Sequence, residues 1–179
     1  MKRCIILGAL LVSAITYADA KVGDSIAQTN QLFGKPIRQV EGGKVYMGGK
    51  DGFVIVCFDP SGICQAVAYM KINGVFSDAD AALLDSTNLP ANSGEWTEAE
   101  SDMPGYRFWT SPNVSLYVAS ASFSYGDQSI YMRAYVSPSG AFLMQLVGEI
   151  MSGGDPKGVM DGTTPKANTQ SAPHAANKY

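Results

Sequence analysis

The sequence predicts an α+β protein that contains two tandem modules, each a helix followed by an antiparallel meander, and then a C-terminal helix. Three observations support this fold class. Helix start and stop signals occur before each of two groups of strand-like segments. The segments are rich in Val, Ile, Tyr and Phe and are separated by Gly, Pro, Asn and Asp. An apolar stripe with helical spacing follows the second group and predicts the C-terminal helix. The repeated order of helix and meander indicates a tandem α-β unit.

The first module covers residues 21–74 and begins with a short helix over Ile26–Phe33. Asp24 or Ser25 can cap its first turn, and Gly34 ends it. The strands predicted after this helix are Ile37–Val40, Lys44–Met47, Phe53–Phe58 and Ile63–Lys71.

The second module covers residues 75–136 and opens with a helix that fades by Ser86. Ser77 is its expected N-cap, and Asp80 can complete a capping box. The strands predicted after it are Glu95–Glu98, Tyr106–Thr110, Ser115–Phe123 and Ser129–Val136.

The rest of the chain divides into a helix and a tail. Ser137 can cap a helix and Pro138 suits its first position, so residues 137–153 are predicted to be helical, with a fifth strand of the second module as the alternative. Residues 154–179 contain few large apolar side chains and are expected to be disordered.

The N-terminus has the features of a secretory signal peptide over residues 1–20. A basic start, Met1-Lys2-Arg3, precedes an apolar run that is short for a membrane span, and Ala18-Asp19-Ala20 supplies a cleavage site. An uncleaved anchor is the alternative. We therefore expect a periplasmic or secreted mature chain, from Lys21 onwards, that has no membrane span.

Composition excludes some partners and supports a substantial core. The formal net charge is −3, and there is no basic cluster that would favour nucleic acid or anionic lipid. Hydrophobic residues make up 46% of the chain, which is enough to bury a core.

The first module also resembles a known family at two points. Gly23-Asp24-Ser25-Ile26 starts its helix, and Leu32-Phe33-Gly34-Lys35-Pro36 ends it. These segments are similar to the helix start and the helix exit of SmpA/OmlA-type (BamE-like) envelope proteins, and two such modules in tandem would resemble the β-lactamase-inhibitor-protein fold. The resemblance implies an exported, non-enzymatic protein that binds other proteins. No lipobox cysteine is found, and no functional residue is carried over.

Cys57 and Cys64 are the only cysteines of the mature chain, and they flank a turn. A disulfide is one interpretation, and two small core side chains are the other. A three-residue loop, Pro60-Ser61-Gly62, would pair Phe58 with Cys64 and Cys57 with Gln65, which places the cysteines on opposite faces. A four-residue loop would instead place them opposite each other.

No catalytic or metal site is predicted. His174 is the only histidine and falls in the predicted tail, which argues against Ser-His-Asp and Cys-His catalysis and against most zinc sites. An acidic run offers carboxylates for a hydrolase, although a solvated loop is the simpler interpretation. This run consists of Glu95, Glu98, Glu100 and Asp102.

The candidate binding residues are the aromatic side chains Trp96, Tyr106 and Trp109. Exposed Tyr and Trp on a sheet would form a recognition face, whereas buried ones would fill the core. We therefore expect a non-enzymatic protein without a cofactor, which binds another protein of the envelope or exterior through its sheet face. The alternative is a glycan or small-ligand module that uses these aromatics.

Overall fold

The structure is a computed structural model that describes residues 21–100, 105–125 and 127–140, together with Leu143 and Val147. The predicted signal peptide, the predicted tail and most of the predicted C-terminal helix lie outside the described residues. Within the described part of the chain, no helix is both long enough and apolar enough to cross a membrane.

Two helices are described, and the sequence predicted both. α1 spans Ile26–Phe33 and α2 spans Asp78–Asn88. Ser25 caps α1 in a capping box with Gln28, and Gly34 ends the helix with a φ of 78°. The predicted capping box of α2, between Ser77 and Asp80, is confirmed, although this helix runs two residues beyond the expected end.

The strands lie close to their predicted positions. They are β1 Arg38–Val40, β2 Gly43–Met47, β3 Gly52–Phe58, β4 Cys64–Ile72, β5 Thr97–Ala99, β6 Tyr106–Ser111, β7 Val114–Tyr125 and β8 Gln128–Val136. All eight belong to one antiparallel sheet in the order β1-β2-β3-β4-β8-β7-β6-β5.

This sheet corrects the predicted fold class. The predicted arrangement of two helix-and-meander modules with a C-terminal helix is wrong: the described chain is mostly one eight-stranded antiparallel sheet with two short helices. The two meanders are joined where β4 pairs with β8, from Ala66 opposite Val136 to Ile72 opposite Ile130. Each meander alone would expose the unpaired backbone groups of a long edge strand, β4 or β8, and such edges promote aggregation. Pairing β4 with β8 satisfies these backbone groups within the chain.

Both faces of the sheet are packed, which is why β3 is buried along its whole length. The face that carries α1 and α2, called here the helix-bearing face, has a core that includes Tyr46, Tyr69, Tyr135 and Leu84 of α2. The other side, called the opposite face, has small side chains at the centre of its core. These are Ala66, Ala68, Ala119, Ala121 and Ala134.

The chain returns over the opposite face after β8. A short 3₁₀ turn, Pro138–Gly140, leads to Leu143 and Val147, whose side chains are buried in the alanine-rich core. Gly140 lies so close to β4 that a Cβ atom there would collide with the backbone oxygen of Gln65. Ser137 also donates its backbone N–H and its hydroxyl to Gln65, at 2.9 and 2.8 Å.

The β3–β4 turn explains where the cysteines lie. Asp59 donates to the carbonyl of Ile63 across the predicted three-residue loop, in which Gly62 has a φ of 81°. Phe58 faces Cys64 as predicted, but Cys57 faces Ala66 and not Gln65, because a bulge adds a residue to β4.

The two cysteines are buried, unbonded thiols on opposite faces of the sheet. Cys57 belongs to the core of the opposite face and Cys64 to the core of the helix-bearing face. Burial is the main reason that the pKa of each thiol is raised to about 12. The nearby thiol of Cys64 raises the pKa of Cys57 further, and the nearby carboxylate of Asp24 raises that of Cys64.

Candidate functional site

The structure brings two of the three predicted binding residues to one face. Trp96 and Trp109 both pack against the core of the helix-bearing face, and both are half-buried. Tyr106 lies on the opposite face, where its ring stacks on Phe108 with the centroids 6.3 Å apart. Successive strand residues alternate between faces, so Tyr106 and Trp109, three positions apart on β6, cannot share a surface.

Two arginines from different strands approach the ring of Trp109. The guanidinium carbon of Arg107, also on β6, lies 5.2 Å from the ring centroid, and that of Arg133, on β8, lies 5.6 Å from it. Both distances are within the ~6 Å range of a cation–π interaction. Two positive charges from different strands therefore lie within cation–π distance of the Trp109 ring, and the order of the strands brings them together.

Each arginine is held by a carboxylate. Arg107 donates through Nε and Nη2 to the two oxygens of Glu98, on β5, at 2.8 and 2.7 Å. Arg133 donates to both oxygens of Asp85, on α2, at 2.6 to 2.8 Å. Paired hydrogen bonds of this kind fix the plane of a guanidinium as well as its position. We call Glu98, Arg107, Trp109 and Arg133 the Trp109 patch.

The inner end of the Trp109 patch continues into the core. The hydroxyl of Tyr135 donates to Asp85 at 2.6 Å, and Tyr135 contacts Tyr69 ring-edge to ring-face with centroids 6.2 Å apart. The hydroxyl of Tyr69 in turn is bonded to Asn88 at the end of α2. A polar network therefore connects α2 to the centre of the sheet.

The environment shifts the acid–base behaviour of this network. Burial is the main reason that the pKa of Tyr135 lies above its ordinary value, and its hydrogen bond to Asp85 raises it further. Burial is the largest single effect on Arg133 and opposes its charge, but the hydrogen bonds and charges of Asp85 and Tyr135 together outweigh burial and raise the pKa of the guanidinium. At the outer end, the hydrogen bonds between Glu98 and Arg107 lower the pKa of the carboxyl group and raise that of the guanidinium.

The acidic run does not form a cluster in the part of the chain that the structure describes. Glu98 accepts hydrogen bonds from Arg107, whereas Glu95 and Glu100 are exposed to solvent. Asp102 lies outside the described residues. Among the described residues, no group of three or more His, Cys, Asp or Glu side chains is placed to hold a metal ion.

Comparison with known proteins adds no family or relative. No family model, no curated protein and no solved structure matches this chain.

Trp109 and Glu98 were both singled out from the sequence, but the two arginines beside the Trp109 ring were not. Arg107 could have been noticed, because it lies two residues before Trp109 on the same strand and so shares its face. The pairing of Asp85 with Arg133 joins residues 48 apart in sequence, and it depends on the strand order. Nothing in a single sequence indicates that order.

Proposed function

We propose that this chain is an exported, non-enzymatic protein that binds another protein of the envelope or exterior through the helix-bearing face of its sheet. The observation that carries the proposal is the Trp109 patch. Its outer members remain accessible, since the side chain of Arg107 is 62% exposed and that of Glu98 is 46% exposed.

The composition of the patch is that of an interface hot spot. Trp, Tyr and Arg are the residues whose removal most often weakens protein–protein binding. The ion pairs with Glu98 and Asp85 hold both arginines in place before a partner arrives. Binding therefore immobilises fewer side chains, which lowers the entropic cost of association.

The same geometry favours a protein partner over a glycan at this place. A sugar ring stacks on an open aromatic face, but the ring of Trp109 already has two guanidinium groups within 5.6 Å of its centroid. A protein surface can instead complement the exposed ion pair, placing a carboxylate near Arg107 and a cation near Glu98.

Other features of the chain agree with a non-enzymatic role outside the cytoplasm. The N-terminal segment has the pattern of a signal peptide, and the first helix resembles that of BamE-like envelope proteins, which act by binding. Glu98, whose carboxylate is held by Arg107, has a lowered pKa, whereas a general acid needs a raised one.

The proposal is tested by affinity capture from native envelope extract, with three forms of the protein purified after export. Wild type, Trp109→Ala and Lys50→Ala are compared by quantitative mass spectrometry. Lys50 lies in the exposed β2–β3 turn and serves as the matched control.

The captured protein is then purified and its affinity is measured directly. We expect one partner that wild type and Lys50→Ala bind equally well and that Trp109→Ala binds at least about tenfold more weakly, a loss of about 1.4 kcal/mol. A partner retained equally by all three forms would place the interface elsewhere, and capture of no specific protein would contradict the proposed function.

A further inference from the structure

We propose that a cleft beside Tyr117, at the end of the β6–β7 hairpin, binds a neutral carbohydrate. The cleft has a volume of about 370 Å³ and is separate from the Trp109 patch. Its volume falls within the ~300–1,000 Å³ range of small-ligand sites. The inference does not depend on the proposed protein partner, because different residues carry it.

A defect in strand pairing creates the cleft. Thr110 of β6 faces Tyr117 of β7, but the next residue, Ser111, faces Val114. Two residues of β7, Ser115 and Leu116, are therefore extra, and the strand bulges at this place. Bulges are common beside binding sites because they redirect side chains and interrupt the ladder of backbone hydrogen bonds.

Local contacts hold the bulge and the turn in shape. The hydroxyl of Ser111 donates to the backbone carbonyl of Ser93 and accepts from the backbone N–H of Asn113, at 3.3 Å in the latter case. The amide of Asn113 lies against Gly94, where a side chain would collide with it. The wall of the cleft is thus supported by the loop that precedes β5.

The chemistry of the lining points to a sugar. Tyr117 is 43% exposed, which is unusual for a ring of this size in the described part of the chain, and it can offer an apolar face with a polar tip. Thr110, Ser115 and Asn113, whose side chains carry hydroxyl or amide groups, line the same cleft. None of its nine described lining residues is charged, so the cleft has no group that would pair with a phosphate or a carboxylate.

A neutral ring with apolar C–H faces and many hydroxyl groups complements this combination. The Tyr ring would stack on the C–H face, and the short polar side chains would exchange hydrogen bonds with the hydroxyl groups. A purely apolar ligand would leave these polar groups without partners, which costs binding energy.

The test uses the protein purified after export from cells that express the full chain. Maltohexaose, cellohexaose and chitohexaose are the probes, and binding is followed by saturation-transfer NMR and by ¹H–¹⁵N shift changes. Four variants are compared with wild type: Tyr117→Phe, Tyr117→Ala, Ser115→Arg and Leu83→Ala.

Ser115→Arg is intended to block the cleft with a large side chain at an exposed position, and it removes no atoms from the core. It therefore tests the cleft independently if Tyr117→Ala folds poorly. Leu83→Ala is the matched control, because Leu83 is exposed to a similar extent (44%) on α2. Circular dichroism checks the folding of every variant.

We expect at least one hexasaccharide to bind wild type, with shift changes concentrated in residues 110–117. Tyr117→Ala and Ser115→Arg should weaken that binding at least about tenfold, while Tyr117→Phe and Leu83→Ala should retain it. Absence of binding by all three probes would overturn the proposal, as would binding that Tyr117→Ala and Ser115→Arg leave unchanged.

Discussion

Asp85 and Arg133 form the contact that joins α2 to the second half of the sheet. Asp85 lies in the last turn of α2 and Arg133 near the centre of β8, and their side chains are joined by three hydrogen bonds. The Arg133 side chain is only 14% exposed, whereas that of Asp85 is 32% exposed. The guanidinium therefore depends on this carboxylate for its charge partner.

Breaking this pair should destabilise the fold. Asp85→Leu leaves a largely buried cation without its partner, and we expect it to lower the free energy of unfolding by about 2 kcal/mol. Arg133→Met should have a smaller effect, because Asp85 can then turn to water. The double variant should recover at least about 1 kcal/mol relative to the sum of the single variants, as measured by urea unfolding.

The exposed pair Glu98–Arg107 is the natural control for that cycle. Its side chains are 46% and 62% exposed, so water screens their attraction, and we expect a smaller coupling energy than for Asp85–Arg133. Additive effects in the Asp85–Arg133 cycle would contradict the structural role assigned to that pair.

Gly140 should tolerate no side chain. A Cβ atom at this position would meet the backbone oxygen of Gln65 and the side chain of Ala66, neither of which can move freely within β4. We expect Gly140→Ala to cost about 2 kcal/mol of stability, as overpacking of a core does. Ser139→Ala, at the exposed neighbouring position, should cost almost nothing, and equal thermal midpoints for the two variants would contradict the contact with β4.

The buried thiols should make the protein less stable in alkaline solution. Both have a pKa of about 12 in the folded protein, whereas an unfolded thiol ionises near pH ~8.5. Above that pH the folded state holds more protons than the unfolded state. The stabilising contribution is therefore complete below pH ~8.5 and is lost as the pH rises towards about 12.

Urea unfolding at about pH 8 and about pH 10 measures this loss. A double variant, Cys57→Ala with Cys64→Ala, should lose less stability between the two conditions than wild type does. Ellman's reagent should also leave both thiols of native wild type unmodified at about pH 8 and label both in urea. Rapid labelling of the native protein would contradict their burial.

Local features of this fold were predictable from the sequence, whereas long-range ones were not. The bounds of α1, its Gly34 stop and the Pro60-Ser61-Gly62 loop follow from caps and turn chemistry, which act within a few residues. The pairing of β4 with β8 joins the last strands of the two meanders, which are more than 50 residues apart in sequence, and no local signal specifies it.

In the candidate site, too, the contacts that depend on the order of the strands could not be predicted from the sequence. Trp109 was predicted from its residue type and strand position, but its arginine neighbours include one from β8, two strands away in the sheet. Tyr106 was grouped with Trp109 although alternation along β6 places it on the other face. The bulge that forms the cleft beside Tyr117 depends on register, which the sequence of one hairpin does not specify.

The most direct test of the central claim, that the helix-bearing face binds a partner protein, is site-specific photo-crosslinking in living cells. A benzoylphenylalanine is placed at Ser122, an exposed position on that face of β7, and separately at Ser61, which is exposed in the β3–β4 turn. We predict one discrete adduct from position 122 that is absent from position 61 and is lost when Trp109→Ala is added. Adducts from position 61 alone, or an adduct from position 122 that persists with Trp109→Ala, would contradict the account.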